Sequence, residues 1–108
     1  MKTTIVHAFA MLAIPVAVAA QTSTLPVPGY AKTTVNTVVF RGNSIASLGR
    51  TQYVAYYDST GKVVLAKRAL GSAAWLSKVT TISGTVTDAH NSISLGVDGD
   101  GFLHMAWS

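Results

Sequence analysis

A histidine in a polar loop is the residue of this sequence best placed to do chemistry. His90 stands in the run Asp88-Ala89-His90-Asn91, between two apolar, β-forming stretches. An imidazole takes up or releases a proton near neutral pH, so it can act as a general acid or base. Either Asp88 or Asn91 is placed to orient the ring. The competing interpretation is structural, with Asp88 and Asn91 capping a turn and His90 half-exposed beside them.

Arg41 holds the corresponding place before an earlier copy of the same triplet. Asn-Ser-Ile occurs at 43–45 and again at 91–93, and Arg41 precedes the first copy as His90 precedes the second. A guanidinium there can contact an anionic substrate, although an ordinary solvated arginine is the simpler interpretation. We therefore predict His90 as a catalytic residue, and Arg41 and Asn91 as substrate-binding residues.

A second histidine, His104, is expected to be structural. It shares one face of a predicted strand with Phe102 and Ala106. If both faces of the sheet are covered, the ring is buried and hydrogen-bonded.

Composition narrows the classes of partner and cofactor. The chain has no cysteine, which excludes the common cysteine-based zinc sites and dithiol motifs. Asp98-Gly99-Asp100-Gly101 resembles part of a calcium loop, but the chain has no glutamate to complete one, so a β-turn is expected. We predict no metal and no cofactor. The net charge of +4 is spread without a basic stripe, which argues against nucleic acid and is compatible with an anionic polysaccharide.

Residues 1–20 have the pattern of a secretory signal peptide. Lys2 precedes an apolar run over residues 5–18, and Val18 and Ala20 are small enough for cleavage before Gln21. We expect a secreted or periplasmic protein with no membrane segment after cleavage. Residues 21–33 have the proline- and serine-rich composition of a linker.

The remaining residues, 34–108, predict an all-β domain. β-branched and aromatic residues dominate, with no apolar stripe of helical period. The predicted strands are 35–40, 44–48, 52–57, 62–69, 75–82, 92–97 and 102–107.

Two repeat spacings compete along this domain. Asp58 and Gly61 match Asp98 and Gly101 at a spacing of 40, whereas the Asn-Ser-Ile triplets match at 48. We prefer the second, which makes 44–82 a complete four-stranded antiparallel meander. Such units are typical of β-propeller blades. An immunoglobulin-like sandwich is the alternative, but it predicts no internal repeat. The expectation is a β-propeller fragment of about one and a half blades, inactive and poorly folded by itself.

Several stretches together resemble the N-terminal part of the BNR-repeat (BNR-4) family. They are 43–45, 52–58, 62–68 with 70–72 and Trp75, 88–94, and 98–104. Members are secreted propellers linked to polysaccharide degradation, and relatives include ulvan and other uronate polysaccharide lyases. The resemblance implies a lyase that cleaves uronate-containing polysaccharide by β-elimination. It implies that His90 abstracts the C5 proton or neutralises the carboxylate.

Two alternatives stay open beside the lyase. A sialidase-like glycoside hydrolase is one, although Asp58-Ser59-Thr60-Gly61 departs from the sialidase Asp-box. A non-catalytic carbohydrate-binding propeller is the other. The sequence makes no prediction of oligomeric state.

Overall fold

The chain is an all-β protein, as predicted. A computed structural model describes residues 22–37 and 43–108, and within those ranges it contains strands and turns and no helix. A helix capable of crossing a membrane is likewise not found among those residues. The six strands are β1 (Ile45–Leu48), β2 (Thr51–Tyr57), β3 (Lys62–Ala69), β4 (Leu76–Ser83), β5 (Ser94–Val97) and β6 (Leu103–Ala106). The predicted signal peptide and Arg41 lie outside the described residues.

The first four strands form one antiparallel meander. Their order in the sheet is β1-β2-β3-β4, so the predicted four-stranded unit over 44–82 is confirmed. β2 and β3 are the longest pair, in register from Thr51 opposite Ala69 to Tyr57 opposite Val63. The register between β3 and β4 shifts near Lys62, where a bulge lets β4 continue to Ser83.

The last two strands form a separate antiparallel hairpin. β5 pairs with β6 from Ser94 opposite Ala106 to Val97 opposite Leu103. β5 lies against β1, and the amide of Leu95 donates a hydrogen bond to the carbonyl of Asn43. The hairpin thereby covers one face of the four-stranded sheet.

The core has two layers, one on each face of that sheet. Ala55, Tyr57 and Val63 pack with Ile93 and Leu95 of the hairpin segment. On the opposite face lies a second cluster, made of Val54, Tyr56, Val64 and Ala66. Burial on both faces explains why residues 54–57 are continuously buried instead of alternating.

The repeated triplets meet different surroundings. Ile93 of the second copy is fully buried, whereas Ile45 of the first copy is 54% exposed. Ile93 lies between the hairpin and the sheet, and among the described residues Ile45 has no corresponding sheet to pack against. The preferred spacing of 48 therefore relates two strands that are neighbours in space, β1 and β5.

The alternative spacing of 40 reflects a shared turn. Each turn begins with an aspartate whose Oδ1 accepts hydrogen bonds from the amides two and four residues later: Thr60 and Lys62 for Asp58, Asp100 and Phe102 for Asp98. Each also has a glycine at positive φ three residues on, Gly61 at 77° and Gly101 at 89°. An aspartate followed by a left-handed glycine is a common way to close a hairpin, so this match is one of turn chemistry.

The predicted strand over 35–40 is wrong in its described part. Val35, Asn36 and Thr37 lie in a turn, in which the Thr37 amide donates to the Thr34 carbonyl over 2.7 Å. Residues 38–40 are outside the described ranges. From this turn the Asn36 side chain pairs with the end of β2: it accepts from Tyr57 N over 3.0 Å and donates to Tyr57 O over 2.8 Å. The Tyr30 amide donates to the same carbonyl over 2.7 Å.

The segment predicted as a linker is extended and also packs on the sheet. Residues 23–36, called here the N-terminal strap, pair with the end of β2 through a bridge between Gly29 and Asp58. The Tyr56 hydroxyl donates to the Val27 carbonyl over 2.7 Å. Leu25 and Val27 pack against the second core cluster, so the strap covers part of the face opposite the hairpin.

Removing the Asn36 amide should loosen the strap. Asn36→Ala leaves the Tyr57 amide and carbonyl without their side-chain partners, and we expect a loss of about 2 kcal/mol in the free energy of unfolding. Urea unfolding measures it. Thr37→Ala is the matched control, because that hydroxyl makes only an exposed bond to Thr34 and its loss should change little. Equal effects of the two changes would contradict this role for Asn36.

Candidate functional site

The loop between β4 and β5 carries the predicted catalytic residue. It runs over residues 84–93 and starts where the Gly84 amide donates to Gly61 in the Asp58 turn over 3.1 Å. A side chain at position 84 would collide with the ring of Tyr57, so glycine lets the loop pass closely over this buried tyrosine. The loop is therefore seated on the core at its first residue.

An aspartate–histidine pair forms at the loop's turn. Asp88 Oδ1 accepts a hydrogen bond from the backbone amide of His90 over 2.9 Å and contacts the ring nitrogen Nδ1 at 2.7 Å. The Asn91 amide closes the turn by donating to the Asp88 carbonyl over 3.1 Å. The His90 side chain is 83% exposed, and Asp88 is also largely open to solvent.

The geometry decides which neighbour orients His90. Asp88 caps the turn and also holds the imidazole, so Asp88 and not Asn91 orients the ring. The catalytic role of His90 stays a prediction. The backbone N–H of His90, followed by its ring, lowers the pKa of the Asp88 carboxyl below its ordinary value of 3.8. The carboxylate is thus ionised at neutral pH. An exposed imidazole held by an ionised carboxylate can exchange protons with a bound substrate.

Asn91 is engaged with the protein on both ends of its amide. Its Nδ2 donates to the Thr85 carbonyl over 3.4 Å, and its Oδ1 accepts from the Ser108 hydroxyl over 3.2 Å. These bonds tie the two ends of the loop together. The substrate-binding role of Asn91 stays a prediction, and so does that of Arg41.

His104 differs from its predicted buried state. Its side chain is 68% exposed, and its Nε2 lies 2.8 Å from Asp98 Oδ2. The reason is local: the residue paired with His104 on β5 is Gly96, which has no side chain to cover the ring, and the Asp98 carboxylate holds the ring near the turn end of the hairpin. Chiefly through this ring, and next through the Phe102 amide, the pKa of Asp98 is lowered.

This second aspartate–histidine pair was not anticipated from the sequence. The sequence feature that could have predicted it is an aspartate at the start of a hairpin turn, Asp98, with a histidine six residues later, His104. The hairpin brings these two side chains together. Beside it lies an open groove of about 560 Å³, lined by Asn43, Ser94, Gly96 and His104 among others. His90 is not part of this groove. Over the described ranges, no three histidine, cysteine, aspartate or glutamate side chains gather in a way that could hold a metal ion.

Comparison with known families now gives these features a context. Residues 51–108, from the start of β2 to the end of the hairpin, match the model of a BNR repeat-containing family. The match spans more than half of the chain, so this protein belongs to the BNR repeat-containing family, as the sequence resemblance predicted. A comparison with curated proteins gives no match.

Acid should weaken the fold through its turn aspartates. Burial acts to raise the pKa of Asp58, but the hydrogen bonds from Lys62 and Thr60 outweigh it and lower that pKa; Asp88 and Asp98 are lowered too. A carboxyl group whose pKa is lower in the folded state contributes its full stabilisation at pH values above its unfolded pKa of 3.8. That stabilisation is lost as the pH falls through the pKa of the folded state.

We therefore expect the free energy of unfolding to fall as the pH drops below about 3.8, through the lowered pKa values of these aspartates. Urea titrations at a series of pH values measure it. In Asp58→Asn the neutral amide should flatten this fall, because one of the three titrating groups is gone. A flat profile for the unmodified chain would contradict the assignment.

Proposed function

We propose that this chain forms blades of a secreted β-propeller that acts on polysaccharide. Membership of the BNR repeat-containing family supports it, because BNR repeats occur in sialidase-like and other carbohydrate-active proteins. The architecture is compatible with it: a four-stranded meander is followed by a hairpin that stacks on its face. In a propeller, successive blades stack in this way around an axis, with their first strands innermost.

Within that architecture β1 and β5 correspond to two innermost strands. They lie side by side, and the loop that carries His90 leads directly into β5. Loops that enter innermost strands open toward the axis, where propellers commonly bind ligands. This placement supports a role for His90 at the ligand site.

The reaction that we favour is β-elimination in a uronate-containing polysaccharide. His90, in its neutral form, takes the proton from C5 of the uronate. The electron pair of that C–H bond forms the C4–C5 double bond, the C4–oxygen bond breaks, and the departing sugar oxygen receives a proton. A cation near the carboxylate stabilises the intermediate charge, and Arg41 is the proposed cation. The carrying observation is His90 itself, exposed and held by an ionised carboxylate.

Non-catalytic carbohydrate binding is the second candidate. The open groove beside His104 presents amide, hydroxyl and imidazole groups on one surface, and such groups hydrogen-bond to sugars without turning them over. A sialidase-like hydrolase is less well supported, because the Asp58 turn lacks the Asp-box pattern.

One assay separates these three functions. The full-length protein is incubated with a panel of uronate polysaccharides and neutral polysaccharides, and two signals are followed together. A lyase raises both the ultraviolet absorbance of unsaturated uronate and the number of reducing ends. A hydrolase raises the reducing ends alone, and a binding protein raises neither while it retains the glycan in affinity electrophoresis. The proposal predicts both signals with at least one uronate polymer and neither with neutral glucans.

A further inference from the structure

We propose that Asp88 is a positioning residue that fixes His90 in the tautomer with its proton on Nδ1 and so presents Nε2 as the proton acceptor. This inference rests on the proposed function for its kinetic consequence. Its structural part, the tautomer, stands on the geometry of the pair and is measured separately.

One carboxylate oxygen of Asp88 contacts both the backbone and the ring of His90. Asp88 Oδ1 accepts from the His90 amide at 2.9 Å and meets His90 Nδ1 at 2.7 Å. The backbone bond holds the carboxylate at a fixed place relative to the main chain of His90. The ring bond then removes the freedom of the imidazole to rotate, although the side chain is 83% exposed.

The contact between Asp88 Oδ1 and His90 Nδ1 requires one of the two atoms to carry the proton. An ionised carboxylate can only accept hydrogen bonds. The Asp88 carboxyl is ionised at neutral pH, because even its ordinary pKa of 3.8 lies far below 7 and its contacts with His90 lower that pKa further. The proton in the short contact must therefore be on Nδ1. In the neutral ring Nε2 then carries the lone pair. A lone pair at Nε2 is what a general base needs, and it lies on the side of the ring away from the carboxylate.

The second histidine, His104, is held through its other ring nitrogen. His104 contacts Asp98 through Nε2, not Nδ1, and the Asp98 carboxyl, whose pKa is lowered from 3.8, is likewise ionised at neutral pH. By the same argument, neutral His104 carries its proton on Nε2 and its lone pair on Nδ1. The two exposed histidines are thus held in opposite tautomers by neighbours of the same kind, so each serves as a control for the other.

Nuclear magnetic resonance measures the tautomers directly. The full-length protein is labelled with ¹⁵N-histidine, and long-range proton–nitrogen correlations are recorded at a pH where both rings are neutral. His90→Gln and His104→Gln assign the two sets of signals. We expect His90 to show a protonated Nδ1 and His104 a protonated Nε2. The pattern of protonated Nε2 for His90 would overturn the proposal.

The variant Asp88→Asn tests the cause. The amide oxygen can still accept from the His90 backbone, but the amide can also donate to Nδ1, so the carboxylate no longer dictates the tautomer. We expect the His90 signals to move toward protonated Nε2 while the His104 signals stay in place, which also reports that the hairpin is folded. Asp98→Asn should do the reverse. An unchanged His90 tautomer in Asp88→Asn would overturn the proposal.

The kinetic readout separates positioning from binding. If the full-length protein is a lyase, Asp88→Asn should lower kcat on the order of 10–100-fold, the usual effect of removing an orienting partner, with KM little changed. A change confined to KM would contradict a positioning role. If no unsaturated product forms even in the unmodified protein, the proposed function fails, whereas the tautomer result remains a valid test of Asp88.

Discussion

Replacing His90 with alanine should lower the rate of unsaturated-product release by about 10²–10⁴-fold, the contribution usual for a general base. The physical reason is the loss of the only group in the Asp88 turn that can accept a carbon-bound proton near neutral pH. Asp88 remains in the variant, but with its pKa lowered a carboxylate is a weak base. The initial rate of absorbance increase with a uronate polymer measures the effect.

His104→Ala is the matched control for this change. That histidine is also exposed and also bound to an aspartate, but it lies on β6 and not in the loop that enters β5. The variant should keep the lyase rate within a few-fold of the unmodified protein. If both variants lose activity equally, the defect is one of folding or of shared binding, and His90 has no special place in the chemistry. A His90→Ala variant with full activity removes His90 from the mechanism.

Replacing Asp58 with alanine should cause the largest loss of stability among single changes in the turns, about 3 kcal/mol in the free energy of unfolding. Only 8% of Asp58 is exposed. Its Oδ1 accepts hydrogen bonds from the Thr60 amide, the Thr60 hydroxyl and the Lys62 amide at 2.8–2.9 Å. Alanine removes the acceptor of three part-buried hydrogen bonds, and leaving such donors unpaired costs more than the bonds alone contribute.

The effect of Asp58→Ala should spread beyond the turn. The backbone of Asp58 pairs with Gly29 of the strap, and the neighbouring Gly61 receives the Gly84 amide from the loop that carries His90. Loosening the turn therefore weakens the seating of that loop. Asp100→Ala is the control, because its exposed side chain accepts none of the bonds that close the second hairpin. Urea unfolding of the two variants should differ clearly, and equal stabilities would contradict the role given to Asp58.

The sheet could be predicted from the sequence because the residues that begin and end its strands lie next to them in the chain. β3 begins and ends at the predicted residues, since Gly61 before it and Gly71 after it both adopt positive φ, a conformation that glycine reaches without strain. The described part of the strand predicted at 35–40, residues 35–37, is a turn because its pairing is not decided locally. Val35 and Thr37 have high β propensity, but whether such residues form a strand depends on an available partner. The end of β2 is paired instead with the Asn36 side chain and the Tyr30 amide.

The packing of the N-terminal strap on the sheet could not be predicted from the sequence either. Its prolines and serines have the composition of a linker, while its anchors are distant side chains. Arg68 stacks on Trp75, with its Cζ 4.6 Å from the ring centroid, and Ser23 accepts hydrogen bonds from both side chains. Local composition gives no sign of contacts that join residues so far apart in the chain.

The candidate site was predicted in part. The loop and the pairing of His90 with a neighbouring polar group follow from four adjacent residues. The choice of Asp88 over Asn91 needed the backbone, because the turn brings Asp88 Oδ1 to the backbone nitrogen and to Nδ1 of His90. His104 was expected to be buried because strand alternation identifies the face on which a residue lies. Alternation does not tell whether that face is covered by another part of the protein. At His104, which pairs with Gly96, that face is exposed to solvent.

The central claim, β-elimination in a uronate polysaccharide, is tested most directly by mass spectrometry of the products. Each bond cleaved by β-elimination leaves a new non-reducing end that is lighter by one water than the end left by hydrolysis. The full-length protein and its His90→Ala variant are incubated with the same uronate polymer. The account predicts oligosaccharides lighter by one water from the unmodified protein and almost none from the variant. Oligosaccharides of full hydrolytic mass, or an intact polymer in both samples, would contradict it.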